Sequence, residues 1–146
     1  MMRKIKFRGK VPNTVFWIYG HLVEQCGCKS QKFPSCYIIS YNEKIENYDW
    51  EMPRNVERES VGQFTGMYDR NGKEIYEGDI IKAGDSCGIG EVVFKQGCWC
   101  IDNHNLDLAD ERFCLYDELQ ERDCEVVGNI YDNPDLVREV RKNEEN

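Results

Sequence analysis

Apolar and polar residues alternate along much of this chain with the two-residue period of half-buried strands. Ile5 and Phe7 alternate with Lys4, Lys6 and Arg8, which predicts a short strand with its apolar side inward. Val15–Val23 (VFWIYGHLV) is a stronger strand, rich in β-branched and aromatic residues. The Pro12-Asn13 turn ahead of it predicts a hairpin joining the two. Gln25–Lys32 reads as a loop, and Cys36–Tyr41 (CYIISY) as a third strand behind Pro34. Asn42–Arg58 is polar, irregular and interrupted by Pro53, so it divides the chain into halves, with Trp50 and Met52 anchoring the connection to the core.

The second half alternates more cleanly. Val61–Thr65 is a strand ending at Gly66. Asn71-Gly72 predicts a type I′ hairpin turn, because both central positions of that turn need positive φ. Ile75-Tyr76 resumes the extended chain, and Gly78-Asp79 makes a sharp turn or bulge before Ile80-Ile81. The glycine-rich loop Gly84–Gly90 leads to Glu91–Lys95, and Gln96-Gly97 turns the chain into Cys98–Asp102. Phe113–Tyr116 and Glu125–Tyr131 read as the last strands, with Leu119 capping one end of a small barrel, an architecture that removes exposed sheet edges. Asn133-Pro134 then opens a short helix over Pro134–Lys142, an N-cap followed by proline at the first helical position.

Composition narrows the function classes. The 146 residues are 40% hydrophobic and 32% charged, too apolar for a disordered chain, and the net charge of −8 argues against broad attraction to a phosphate backbone. The charge is unevenly spread. Arg3, Lys4, Lys6, Arg8 and Lys10 stand in the first ten residues with no acid among them, whereas Asp102–Glu125 holds nine acids against Arg112 and Arg122. Both stretches read as solvated surfaces, with pairing between them within a molecule or between neighbours as the alternative. The apolar run Val15–Tyr19 is too short for a signal sequence or a membrane span, so a cytoplasmic protein is expected.

In a reducing compartment the eight cysteines read as thiols or metal ligands rather than as a disulfide framework. Cys98-Trp99-Cys100 lies in an extended stretch, which puts both sulfurs on one face and Trp99 on the other; buried small hydrophobes are the reading for that pair. His21, Cys26, Cys28 and Cys36 are the alternative metal set, four N/S ligands for a structural zinc, although Cys-x-Cys departs from the usual knuckle spacing. The reading taken is therefore no metal and no cofactor. Catalysis lacks its sequence signs. His21 and His104 have no nucleophile at triad spacing, and no phosphate loop, dinucleotide fingerprint or H-E-x-x-H is present. Gly84–Gly90 lacks the lysine and following helix that a phosphate cradle needs. Turn chemistry accounts for Tyr76, Gly78, Asp79, Asn129 and Asn133, and no catalytic residue is assigned.

Four segments carry a family resemblance: Ile5–Arg8 (IKFR), Trp17–Gly20 (WIYG), Val61–Ile81 (VGQFTGMYDRNGKEIYEGDII) and Val127–Leu136 (VGNIYDNPDL). Together they resemble the YopX family, whose closing motif commonly reads I-G-N-I-Y-E-N-P-E-L. The chain departs from the family at Gly9-Lys10, where R-A-W-D often continues, and the cysteine-bearing loop Gln25–Cys36 matches no family motif. The resemblance implies a phage or prophage origin and a mainly β fold, and brings no catalytic residues. The second half also looks like SH3-like barrels. The expected organisation is an N-terminal β-hairpin subdomain and connection over 1–58, an SH3-like barrel over 59–132, and a short helix with a tail over 133–146.

The function this supports is a non-enzymatic protein-interaction or assembly module, homo-oligomeric and acting on a host or phage protein. One alternative is nucleic-acid binding by the barrel and a basic N-terminal arm of Arg3, Lys4, Lys6 and Arg8. Another is an acidic mimic, in which Asp102–Glu125, with Asp117, Glu118 and Glu121 at its centre, occupies a host DNA-binding protein.

Overall fold

The computed structural model describes residues 2–25, 35–40, 52–84, 88–102 and 112–137. The fold is mainly β, in two antiparallel sheets, and the chain divides into two units, Met1–Phe64 and Thr65–Asn146.

The first unit is built on β1 (Phe7–Lys10), β2 (Trp17–Gln25), β3 (Ser35–Ser40), β4 (Arg54–Val56) and the start of β5 (Gly62–Tyr68), adjacent in the order β4-β3-β2-β1-β5. The predicted hairpin is present: β1 pairs with β2 in the register Phe7↔Gly20 to Lys10↔Trp17, across a turn in which Asn13 adopts φ 59°. One face packs Cys36, Ile38 and Val56 with Phe7, Ile18, Leu22 and Val61. Gly20, of the WIYG segment, sits where any β-carbon would overlap the Ile39 carbonyl, so its missing side chain permits the β2–β3 pairing. A single 3-10 turn, Arg58–Ser60, is tied to β1 through Ser60, whose hydroxyl accepts from the Lys10 N–H at 2.8 Å and donates to the Glu57 carbonyl at 2.7 Å.

Three expectations fail in this unit. Ile5 does not line a core; it is 55% exposed, while Lys6 and Arg8 are 8% and 5% exposed. Neither the solvated patch nor the free arm exists at these two positions: β1, with Arg8, lies between β2 and β5, and the Lys6 carbonyl just ahead of it accepts from the Phe64 N–H at 2.9 Å. The polar stretch between the halves carries a strand, β4, which pairs with β3 and gives Val56 to the core. Met52 does not anchor it, being exposed, and Trp50 lies outside the described residues.

The second unit contains the rest of β5, β6 (Glu74–Tyr76), β7 (Asp79–Ala83), β8 (Ile89–Lys95), β9 (Cys98–Asp102), β10 (Arg112–Cys114), α1 (Leu115–Glu121) and β11 (Cys124–Asn129). Its sheet runs β10-β9-β8-β7-β11, so the last strand returns beside the first. Ile75, Ile81, Val92, Ile101, Leu115 and Cys124 dominate the core. The expected strand at Phe113–Tyr116 gives way to α1 after Cys114. Leu115 and Leu119 stand one helical turn apart and both pack on that core, a spacing that four residues of presumed strand concealed.

The hairpin turns also differ from expectation. Asn71 has no positive φ; only Gly72 does, at 77°, and the Gly72 N–H bonds to the Asp69 carbonyl at 3.0 Å. This is the type I turn with a following left-handed glycine, not the I′ turn. Asp69 is the cause. Its Oδ1 accepts from the amides of Asn71 (2.8 Å) and Lys73 (2.9 Å), which fixes the longer loop. The two-residue turn with positive φ at both positions is instead Gln96-Gly97, at 52° and 82°.

Candidate functional site

Asp69 is a heavily bonded carboxylate, with three backbone amides on its two oxygens. Besides the two turn amides, Val126 N–H donates to its Oδ2 at 3.0 Å, fastening the β5–β6 turn to β11. Burial alone would raise this carboxyl, but the three amides and the Lys73 charge outweigh it and hold Asp69 below the ordinary carboxylate range. An ionised group committed to three backbone donors is a brace rather than a general base. Beside it lies a small depression of about 120 Å³ lined by Arg70, Lys82, Gly84, Asp123 and Glu125, in which the Arg70 guanidinium is ion-paired to Glu125 at 3.1 Å. Ligand pockets usually start near ~300 Å³, so this depression is too small for more than ions or water.

The signature residues hold corners. Asp79 Oδ2 accepts from the Tyr76 N–H at 2.8 Å across the turn. Gly78, at φ 83°, donates to the Val92 carbonyl and accepts from the Ile130 N–H. Asn129 Oδ1 accepts from the amides of Tyr131 and Asp132, at 3.0 and 2.9 Å. Asn133 turns its carboxamide back to the Asn129 N–H at 3.3 Å, bracing the strand end behind it. The helical turn over residues 134–137 follows directly.

The alternative zinc set does not assemble at its two described members. His21 is opposite Ile39 and Cys36 is opposite Glu24, three pairs apart, so the two stand on opposite faces of the sheet. Burial pushes the Cys36 thiol up, Glu24 adds to that, and Arg58 opposes it, a net direction that disfavours a thiolate ligand. Cys26 and Cys28 lie outside the described residues. Among the described residues no group of three or more His, Cys, Asp or Glu is arranged to hold a metal.

The first unit carries exposed aromatic and apolar side chains on the face of its sheet away from Ile38. The Arg8 guanidinium stacks 4.8 Å from the Trp17 ring centroid, and the Lys6 ammonium lies 5.4 Å from that of Phe64. Along β2 the same face continues through Tyr19, His21 and Val23, with Tyr37 opposite Val23 on β3. Within β1 to β4 the register places no described carboxylate on this face. Tyr19, His21 and Val23 are exposed, and Val23 and Tyr37 open into a shallow groove of about 390 Å³ shared with Glu24, Gln25 and Pro53. At the turn end of the hairpin, Val15 and Phe16 are 77% and 69% exposed. Sequence reading missed this surface because it requires knowing that β1 and β3 flank β2. The basic residues and the aromatic segment were each visible alone.

The acidic stretch is partly spent internally. Glu118 is buried and ion-paired to Arg122 at 3.0 Å, Glu125 to Arg70, and Asp102 to Lys95 at 2.6 Å; Asp117, Glu121 and Asp123 are exposed. No helix among the described residues is long and apolar enough to cross a membrane.

The crystal structure of protein EF1440 from Enterococcus faecalis is similar to this structure, with a TM-score of 0.52 over 93% of this chain and 99% of that one. At 22% sequence identity the likeness is one of fold alone. No curated protein matches the chain. The family model described as YopX protein matches residues 6–138, spanning all four segments that carried the resemblance except its first residue, Ile5, and on that match this chain belongs to the YopX family.

Proposed function

We propose that this protein is a non-enzymatic interaction module that assembles with itself or with a host or phage protein through the aromatic face of its first unit. The observation carrying this reading is the contiguous exposed surface of Tyr19, His21 and Val23 on one face of β2, beside the projecting Val15 and Phe16. Exposed apolar groups on a face that also carries the half-buried Lys10 favour a partner with apolar and acidic character. The exposed Asp117, Glu121 and Asp123 of another copy have that acidity, which supports homo-oligomerisation. The strand order β10-β9-β8-β7-β11, with a helix ahead of the returning strand, supports an SH3-like reading of the second unit. Light scattering after size exclusion, across salt and protein concentration, tests assembly. Association that weakens with salt and is lost in Phe16→Ser/Tyr19→Ser supports the reading, and a strict monomer throughout removes its homo-oligomeric part. Capture of a defined host or phage protein by the wild type but not by that double variant would then have to carry it.

The same face gives a second reading, single-stranded nucleic acid stacked on Tyr19 and Tyr37. Sequence-tolerant stacking on exposed aromatic rings is a recurrent way of holding such strands. Labelled oligonucleotides titrated at low salt decide it: binding that falls steeply with salt and with Tyr19→Ala supports it, and an unchanged anisotropy removes it. The acidic-mimic reading has less support, since Glu118 and Glu125 are already ion-paired within the chain.

A further inference from the structure

Cys98 and Cys100 occupy alternate positions of β9, on the side away from Trp99 and Ile101, which face the core. Their sulfurs lie 3.3 Å apart. The register places Lys95 opposite Cys98, and Val93 and Cys114 on either side of Cys100. The Lys95–Asp102 ion pair runs along this same face and joins the two ends of the thiol row. Cys98 is exposed beside the Gln96-Gly97 turn, whereas Cys100 is buried. Two thiols in contact, one open to reagents and one not, divide naturally into an entry sulfur and a resolving sulfur.

We propose that Cys98 and Cys100 form a dithiol modification site whose reactant is a low-molecular-weight disulfide. The Cys98 thiolate attacks one sulfur of the reactant, forming a mixed disulfide and expelling the first thiolate. The Cys100 thiolate then attacks Cys98 Sγ, forming the Cys98–Cys100 bond and expelling the second thiolate. Two protein thiols are oxidised, the reactant's disulfide is reduced to two small thiols, and the two protons lost by the cysteines end on those products. Exposure assigns the first step to Cys98, and the 3.3 Å contact lets Cys100 complete the second without strand separation.

The product has a structural consequence. Alternate Cα atoms of an extended strand stand about 6.6 Å apart, near the upper end of the span that a disulfide bridges. Closing the bond therefore draws β9 in where Cys98 pairs with Lys95, and the β8–β9 hairpin loses amide protection in the oxidised form.

The test uses the full chain, reduced and then incubated with oxidised glutathione, with remaining thiols blocked before trypsin digestion. Residues 96–112 form one tryptic peptide containing only these two cysteines, so the internal bond is read directly. The expected result is a peptide lighter by about 2 Da than its reduced form. Cys100→Ser should trap at least tenfold more glutathione on Cys98 than the wild type holds, and Cys98→Ser should lower modification of Cys100 at least tenfold. A wild-type peptide recovered as a stable mixed disulfide, as a dithiol while other cysteines react, or cross-linked to the peptide carrying Cys114 would overturn the proposal. The wild-type map decides the matter even where a serine variant fails to fold.

Discussion

The two units use their polar residues in opposite ways. In the first, cations enter the sheet: Lys6 and Arg8 are buried and lie against aromatic rings, while Tyr19, His21 and Val23 stay exposed. In the second, carboxylates and carboxamides hold the corners: Asp69, Asp79 and Asn129 accept backbone amides and leave little capacity for an incoming ligand. A cation over a ring keeps a large, adaptable surface on display, whereas a carboxylate saturated by amides is finished chemistry. The difference leaves an exposed aromatic face in the first unit and amide-braced corners in the second, which assigns rigidity to the second.

The largest effect should come from the second unit's core. Ile81→Ala removes a fully buried side chain and is expected to cost about 2–5 kcal/mol, measured by urea unfolding. Amide exchange should show the loss across β7, β8 and β11; a loss under 1 kcal/mol would deny the second unit its assigned rigidity. Asp69→Ala comes next, at about 1–3 kcal/mol, because the Val126 N–H is left buried without its acceptor.

The ionisation of Asp69 sharpens the same point. Its carboxyl is held lower in the folded state than in the unfolded chain, so the stability it contributes is fully present above the unfolded value of about 3.9. That contribution disappears as pH falls through the lower folded value. Stability measured from pH 6 downwards should therefore drop less steeply in Asp69→Asn than in the wild type. Parallel curves would show that the amide bonds do not set the carboxyl's ionisation.

On the first unit, Arg8→Lys keeps the charge but loses planar stacking on Trp17, and about 0.5–2 kcal/mol should be lost. A neutral result would mean the ring contact does not hold the cation in the sheet. The smallest effect is at a turn. Gln96→Asn should stabilise by about 0.5–1 kcal/mol, since asparagine tolerates the left-handed backbone better than glutamine. Asn71→Ala should have little backbone effect, because Asn71 is not in that region; equal responses at the two sites would contradict the assigned turn types.

Much of this architecture was legible in the chain. The β1–β2 hairpin follows from the Pro12-Asn13 turn and the aromatic run after it, and the Cys98–Asp102 strand has the bounds its alternation predicts. Bracing by Asp79 and Asn129 follows from the hydrogen-bonding habits of those side chains at turns. The candidate face was not legible as a surface. Alternation alone puts Trp17, Tyr19 and His21 on one side of β2, but Tyr37 joins them only because β3 pairs beside it, and a pairing partner distant in sequence leaves no local mark.

The sequence alone determined the β periodicity, the family and the positions of most turns, because alternation and turn chemistry act over a few neighbouring residues. Only the tertiary structure decided that Lys6 and Arg8 go inward, that Asp69 fastens its turn to Val126, and that Leu115–Glu121 is helical. In each case a contact made across the sheet or with the core outweighed a local preference worth a kcal/mol or less.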